Sequence, residues 1–194
     1  MTLRERIVHE ALRQFSAKGF LNTSITDILN AVGSSKGGLY NHFNSKEALF
    51  KATLSEARKI WRERNLDGID REASAVDQLK RVLTNYRDRY LTDSQTLPGG
   101  CIFVNLAVEL SDQQPRLAEE VQDGFVRFKS WMKRLLDREH REGRLVEDVS
   151  TAQVTTLLFA GLLGACVMYA TDKSRENLDL TIGALIDHLD RIRR

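Results

Sequence analysis

The sequence predicts an all-α protein: a small N-terminal three-helix unit containing a helix-turn-helix, followed by a larger helical bundle. Three observations lead there. Only Pro98 and Pro115 interrupt 194 residues, so long helices can run unbroken. Apolar residues recur on helical faces, as in Leu3, Ile7, Val8, Ala11, Leu12 and Phe15. Serines and glycines stand where helices would begin and end.

In chain order, the first helix begins near Leu3, and Gly19 is placed to stop it. Ser24-Ile-Thr-Asp27 has the form of a capping box, with Asp27 standing for the usual Glu. A short helix is therefore predicted over about 25–32, ending at Gly33. Ser34 or Ser35 can cap a second short helix to about Phe43. Ser45 can cap a long one from Lys46 to about Arg64, with Glu47 in its first turn. Two short helices joined by a tight turn are the helix-turn-helix pattern, and Gly33 supplies the permissive backbone at the turn. Gly37 and Gly38 open the second helix without bulky side chains, so its start can lie close against a surface such as a DNA backbone or base edge.

Beyond Arg64, LDGIDREAS reads as a linker and a helix over about 73–92 follows, with Val76, Leu79, Leu83, Tyr86 and Tyr90 on its apolar side. DSQTLPGG is loop by composition, and CIFVNLAVELSD is a short, very apolar helix. Pro115 can start the next long helix, which runs to about Glu142 before Gly143. The last two helices, about 151–171 and 174–194, carry seams at spacing 4,3,4,3: Val154, Leu158, Gly161, Ala165 and Met168, then Leu178, Ile182, Leu185, Leu189 and Ile192. Gly161 and Gly164 each cost roughly 1 kcal/mol against Ala in a helix, which points to close approach of another helix. That helix can belong to the same chain or to a two-fold partner. On the second reading, Val154, Leu158, Gly161, Ala165, Met168, Leu178, Ile182, Leu185 and Leu189 form a homodimer interface.

Composition bounds the function. Apolar residues at 42% and charged residues at 29% are ordinary for a globular protein. The N-terminus is charged from Arg4 onward, without the apolar core of a signal peptide. The longest apolar run, 157–170, has 14 residues and two glycines, short of the roughly 18 that span a bilayer. No membrane partner is expected. Cys101 and Cys166 make neither a disulfide framework nor a zinc spacing, so a reducing cytoplasm is the expected location. There is no G-x-S-x-G, H-E-x-x-H or Walker loop, and His9, His42, His140 and His188 lack ligand spacing. The expectation is no enzyme, no metal and no cofactor. The net charge of +2 is uneven: residues 1–62 hold ten Lys/Arg against five Asp/Glu, the remainder nineteen against twenty-two. A basic end on a mildly acidic body suggests an anionic partner at that end.

The segment GFLNTSITDILNAVGSSKGGLYNHFNSKEALF closely resembles the N-terminal DNA-binding domain of the TetR family of bacterial transcriptional regulators. The match covers about residues 3–52; beyond it only the helical layout is similar. The resemblance implies a DNA-binding head over 1–48 and a helical effector-binding and dimerisation domain over 49–194. It implies that Lys36 and Gly37 face the major groove, that Tyr40, His42 and Lys46 hold the phosphate backbone, and that Thr26 and Asn41 touch bases or nearby phosphates. Ser24 and Ser35, the helix caps, join the DNA-facing set. Against the family pattern, Leu29 replaces a common alanine, Ser34 a valine and Gly38 a threonine.

Two further features bear on regulation. Cys101 follows Pro98-Gly99-Gly100 at a helix start, where a thiolate is stabilised. The context resembles family members that sense electrophiles or oxidants, though a buried, inert cysteine also fits. Trp61, Tyr86, Tyr90, Phe103, Phe125, Phe128 and Met132 either line a small-molecule pocket or fill the core. The function expected is a homodimeric, effector-responsive regulator, usually a repressor, binding a palindromic double-stranded DNA operator and released by an unidentified small molecule or an electrophile or oxidant. The rival is a helical small-molecule-binding protein whose DNA-binding head is non-functional or controlled by a partner.

Overall fold

Local signals set nearly every helix boundary in the computed structural model, which describes residues 1–194. Nine α-helices follow in order: α1 Leu3–Lys18, α2 Ile25–Val32, α3 Lys36–Tyr40, α4 Lys46–Asn65, α5 Ala75–Asn85, α6 Ile102–Leu110, α7 Pro115–Arg141, α8 Thr151–Asp172 and α9 Arg175–Arg191. Ser74, Ser150 and Ser174 cap α5, α8 and α9 by accepting a bond from the N–H three residues on.

Two departures from expectation have physical causes. The helix expected to reach Thr92 ends as α5 and continues as a π-helical turn, Tyr86–Tyr90, in which the Leu91 N–H donates to the Tyr86 carbonyl at 2.9 Å. The last helix stops at Arg191 because the chain end pairs with residues 144–146. The Val146 N–H donates to the Ile192 carbonyl and the Arg194 N–H to the Arg144 carbonyl, both at 2.9 Å.

The chain forms two compact units. The first comprises residues 1–61 and 93–121. Its core is aromatic: Phe20 meets Phe15 and Phe50 edge-on, at 5.4 and 5.1 Å between centroids. Ile28, Leu39 and Phe43 join this core, as their positions in the sequence imply.

The second unit comprises residues 62–92 and 122–194. Here α9 lies between α5 and α8. Glu139, 1% exposed, holds the start of α5 by accepting from the Ala75 N–H at 2.9 Å. The Arg144 guanidinium grips the same carboxylate in a fork at 2.8 and 2.9 Å, and holds its pKa below the usual range.

The seam expected between two chains lies inside one. Val154, Leu158, Ala165, Leu178, Ile182, Leu185 and Leu189 are all buried where α8 packs on α9, so they present no surface to a partner. A Cβ on Gly161 would stand 2.7 Å from Leu185 Cδ2, so Gly161 is the notch that lets α9 close on α8. Met168 alone of the nine is exposed, at 43%. It belongs to a second, outward apolar face with Leu157, Val167 and Leu180, which are 48%, 47% and 66% exposed. Gly164 lies on that face with nothing within 4 Å of its Cβ position. Helix α8 is therefore apolar on both sides. It spans 22 residues, and an 18-residue stretch of it has a mean hydropathy of 1.8, so it is long and apolar enough to cross a membrane by length and composition, more than the 14-residue run suggested.

Candidate nucleic-acid interface

The head is assembled from α1, α2 and α3, with reciprocal caps fixing the ends. Ser24 Oγ accepts from the Asp27 N–H at 3.0 Å, and Asp27 Oδ2 accepts from the Ser24 N–H at 3.1 Å. These bonds from Ser24 hold the Asp27 carboxyl below its usual pKa. Helix α2 ends at Gly33, whose φ of +65° is left-handed backbone that L side chains rarely adopt. Of the two candidate caps for α3, Ser35 is the one used: its Oγ accepts from the Gly38 N–H at 3.2 Å.

The two glycines of α3 differ in what they answer to. A Cβ on Gly38 would lie 2.6 Å from Ser34 Oγ and 3.5 Å from Leu3 Cδ2, so the serine at 34 and the glycine at 38 fit as a pair. A Cβ on Gly37 would meet only Ser35 Oγ, at an ordinary 3.8 Å. Nothing within the chain requires glycine there.

Leu39, fully buried, and Phe43 anchor this short segment from beneath, and the Arg4 guanidinium lies 5.3 Å from the Phe43 ring. The helix ends at Tyr40, earlier than the expected Phe43, because the His42 N–H turns back to the Leu39 carbonyl at 2.8 Å. Thr26, Ser35, Lys36, Gly37, Tyr40, Asn41 and His42 are all exposed, with Tyr40 at 53%. A cation, an amide, a phenol and an imidazole thus stand exposed within one short segment, residues 36–42. That set can bond phosphate oxygens and base edges.

Lys46, which the resemblance sets against the phosphate backbone, is half-buried beside this segment. Its ammonium donates to the Phe20 carbonyl at 2.6 Å and lies 4.2 Å from the centre of the Phe20 ring. Burial lowers its pKa, against the raising influence of Glu109 and Glu47. Two participants were not singled out from sequence. Arg4 is one. Glu109 is the other, the only charge in the otherwise neutral α6, and that isolation was the available signal.

The regulatory candidates sort by unit. Tyr86, Tyr90, Phe125 and Phe128 come together in the second unit with two rings outside the sequence-based set, Trp131 and Phe159. Phe128 stacks between Tyr86 and Trp131 at 6.2 and 5.9 Å. Met132 is buried in the same unit; Trp61 and Phe103 fall in the first. Cys101 is the N-cap residue of α6 and only 2% exposed, so its sulfur is covered.

A basic three-helix head with an exposed recognition element, joined to a helical body, defines a helix-turn-helix DNA-binding protein. Comparison with known proteins gives the family. Residues 7–53 match the profile of bacterial regulatory proteins of the tetR family, and residues 75–185 the tetracyclin repressor-like C-terminal domain. The chain belongs to the TetR family of bacterial transcriptional regulators. It is 28% identical to the HTH-type transcriptional repressor DhaR of Mycobacterium sp. (strain GP1), over 96% of this chain and 92% of that one. Among solved structures, a TetR transcriptional regulator from Chloroflexus aurantiacus J-10-FL is 29% identical with a TM-score of 0.87, covering 98% of this chain and 96% of the other. A cysteine mutant of the regulator CifR, complexed with 26-bp double-strand operator DNA, shares the fold at 21% identity and a TM-score of 0.82, covering 96% of each chain.

Proposed function

We propose that this regulator is a homodimeric repressor that binds a palindromic operator and leaves it when an effector occupies the second unit. The observation that carries the dimer is the outward apolar face of α8 and α9, formed by Leu157, Gly164, Val167, Met168, Leu180 and Ala184. Exposed apolar patches of this kind mark interaction surfaces. A second copy fits better than a bilayer, because the face continues onto α9, which also carries Arg175, Glu176, Asp179, Asp187 and Arg191. Two-fold pairing makes the patch self-complementary and presents two recognition elements to two half-sites.

Within this reading residues 1–48 meet DNA, and residues 49–194 serve the effector and the partner. Lys36 and Gly37 face base edges; Tyr40, His42 and Lys46 bond phosphates; Thr26 and Asn41 touch bases or nearby phosphates; Ser24 and Ser35 hold the helices that carry them. The half-buried rings of Phe125, Phe128, Trp131 and Phe159 offer an aromatic platform for an apolar effector. The covered sulfur of Cys101 favours reversible binding there over attack by an electrophile or oxidant. Release requires an effector that prefers the released conformation; equal affinity for both states would shift nothing.

Selection of a random duplex library by the purified chain tests the reading. A palindrome should be enriched, and its recovery should fall steeply with salt. No enrichment at any salt concentration would favour a helical small-molecule-binding protein with a silent head.

A further inference from the structure

Two serines stand side by side at the turn between α2 and α3, and the chain uses only one of their hydroxyls. Ser35 Oγ accepts from the Gly38 N–H at 3.2 Å and so caps α3. Ser34 Oγ makes no hydrogen bond within the chain. The residue is half-buried, yet this oxygen is not sealed from solvent. Its backbone is held firmly, because the Ser34 N–H donates to the Leu29 carbonyl of α2 at 3.0 Å.

Glycine at 38 leaves the hydroxyl its place. A Cβ there would lie 2.6 Å from Ser34 Oγ, closer than real Cβ contacts come, with Leu3 Cδ2 at 3.5 Å on another side. A poor helix residue within the five-residue α3 thus keeps a slot open for an oxygen that bonds nothing in the chain. Gly37, beside the slot, and Asn41, one helical turn beyond it, are both exposed. We propose, resting on the DNA-binding reading above, that Ser34 is a further operator contact whose hydroxyl, seated in the slot of Gly38, donates to a phosphate oxygen. Serine hydroxyls are common donors to the DNA backbone. The slot lies on the flank of α3 that meets Leu3 of α1, off the outward line of Gly37 and Asn41. The flank of a helix in the major groove meets the phosphate wall, while its outermost residues meet the base edges. On this account two departures from the family pattern are one exchange. Serine for valine at 34 and glycine for threonine at 38 keep a hydroxyl in the slot and change which residue carries it.

Moving the hydroxyl back tests the contact. Full-length wild type, Ser34→Ala and Ser34→Ala/Gly38→Ser would be titrated from about 50 to 200 mM salt with the selected duplex and with one of unrelated sequence. Melting temperatures would be taken in parallel. Ser34→Ala should melt with wild type, since the hydroxyl has no partner in the chain. It should bind both duplexes about tenfold more weakly, from two bonds of about threefold each in a symmetric dimer. The slope of log K against log[salt] should not change, because a neutral group releases no counterion, whereas loss of a cation from a phosphate lowers it by about 0.9 per chain. Ser34→Ala/Gly38→Ser should recover to within about threefold of wild type.

Wild-type affinity of Ser34→Ala would overturn the contact. A loss confined to the selected duplex would make the hydroxyl a reader of bases and overturn the phosphate assignment. A shallower slope would mean a displaced head, and would overturn it too. A folded double variant no tighter than Ser34→Ala would overturn the slot as the seat of the hydroxyl. Should the double variant not fold, Gly38→Ala takes its place: it should weaken binding by driving the hydroxyl out, and adding Ser34→Ala should then cost nothing more. Strict additivity of the two would overturn the slot. A wild type that binds neither duplex would overturn the DNA-binding reading, and the contact with it.

Discussion

Helices α3 and α8 each contain two nearby glycines, and in each helix one glycine is crowded by a neighbouring side chain of the chain and the other is not. In α3, Gly38 leaves room for Ser34 Oγ, while Gly37 has open space where its Cβ would be, beyond one ordinary contact. In α8, Gly161 receives Leu185 of α9, while Gly164 faces outward with nothing near. A glycine in a helix costs roughly 1 kcal/mol against alanine, so an inward one is offset by packing that can be named. The outward ones are offset by nothing within the chain. On the proposed function, DNA stands beside Gly37 and a second copy beside Gly164.

The largest effect should come from filling the inward notch of α8. Gly161→Val forces its side chain onto the packed Leu185 and should destabilise the chain by about 1–3 kcal/mol in urea unfolding. Stability at or above wild type would dissolve the comparison at its firmer end. Gly164→Val should leave unfolding of dilute chain nearly unchanged yet weaken self-association about tenfold or more in sedimentation velocity, an effect of about 1.4 kcal/mol. Unaltered association would remove the partner from beside Gly164.

The smallest of the three effects belongs to α3. Gly37→Ala should raise stability slightly, by up to about 1 kcal/mol, while reducing affinity for the selected duplex. Undiminished DNA affinity would mean that the open space at Gly37 is not occupied by the duplex.

How far the sequence could be read follows the range of the interactions. Helix ends were legible because their signals are local: Ser24 and Asp27 bond each other across three residues, Gly33 sits where the turn needs it, and Ser45 Oγ caps the Ala48 N–H at 3.1 Å. Exposure of Lys36, Tyr40 and His42 followed from the same short pattern, since Leu39 and Phe43 point the other way. The seam of α8 and α9 was visible as a period, but its owner was not. A helix apolar on both faces gives one seam to its neighbour and one to the outside, and the 4,3,4,3 spacing marked the inner one, Met168 excepted. The bonds from the Phe20 and Leu21 N–H groups to the Glu109 carboxylate were illegible for a different reason: Glu109 reaches that turn from 89 and 88 residues away, and no local pattern records that distance.

The outward face of α8 and α9 carries the central claim, that two copies of this chain bind DNA together. Sedimentation equilibrium of wild type and of Leu157→Glu/Leu180→Glu, alone and with the selected duplex, measures it. Both leucines are exposed in the single chain, at 48% and 66%, so the charges need not disturb its core. The expected result is two wild-type chains in solution and on each duplex, and a variant that is monomeric, folded by circular dichroism and weakened on DNA. A variant that stays dimeric, or a wild type that is monomeric on its palindrome, would contradict the claim.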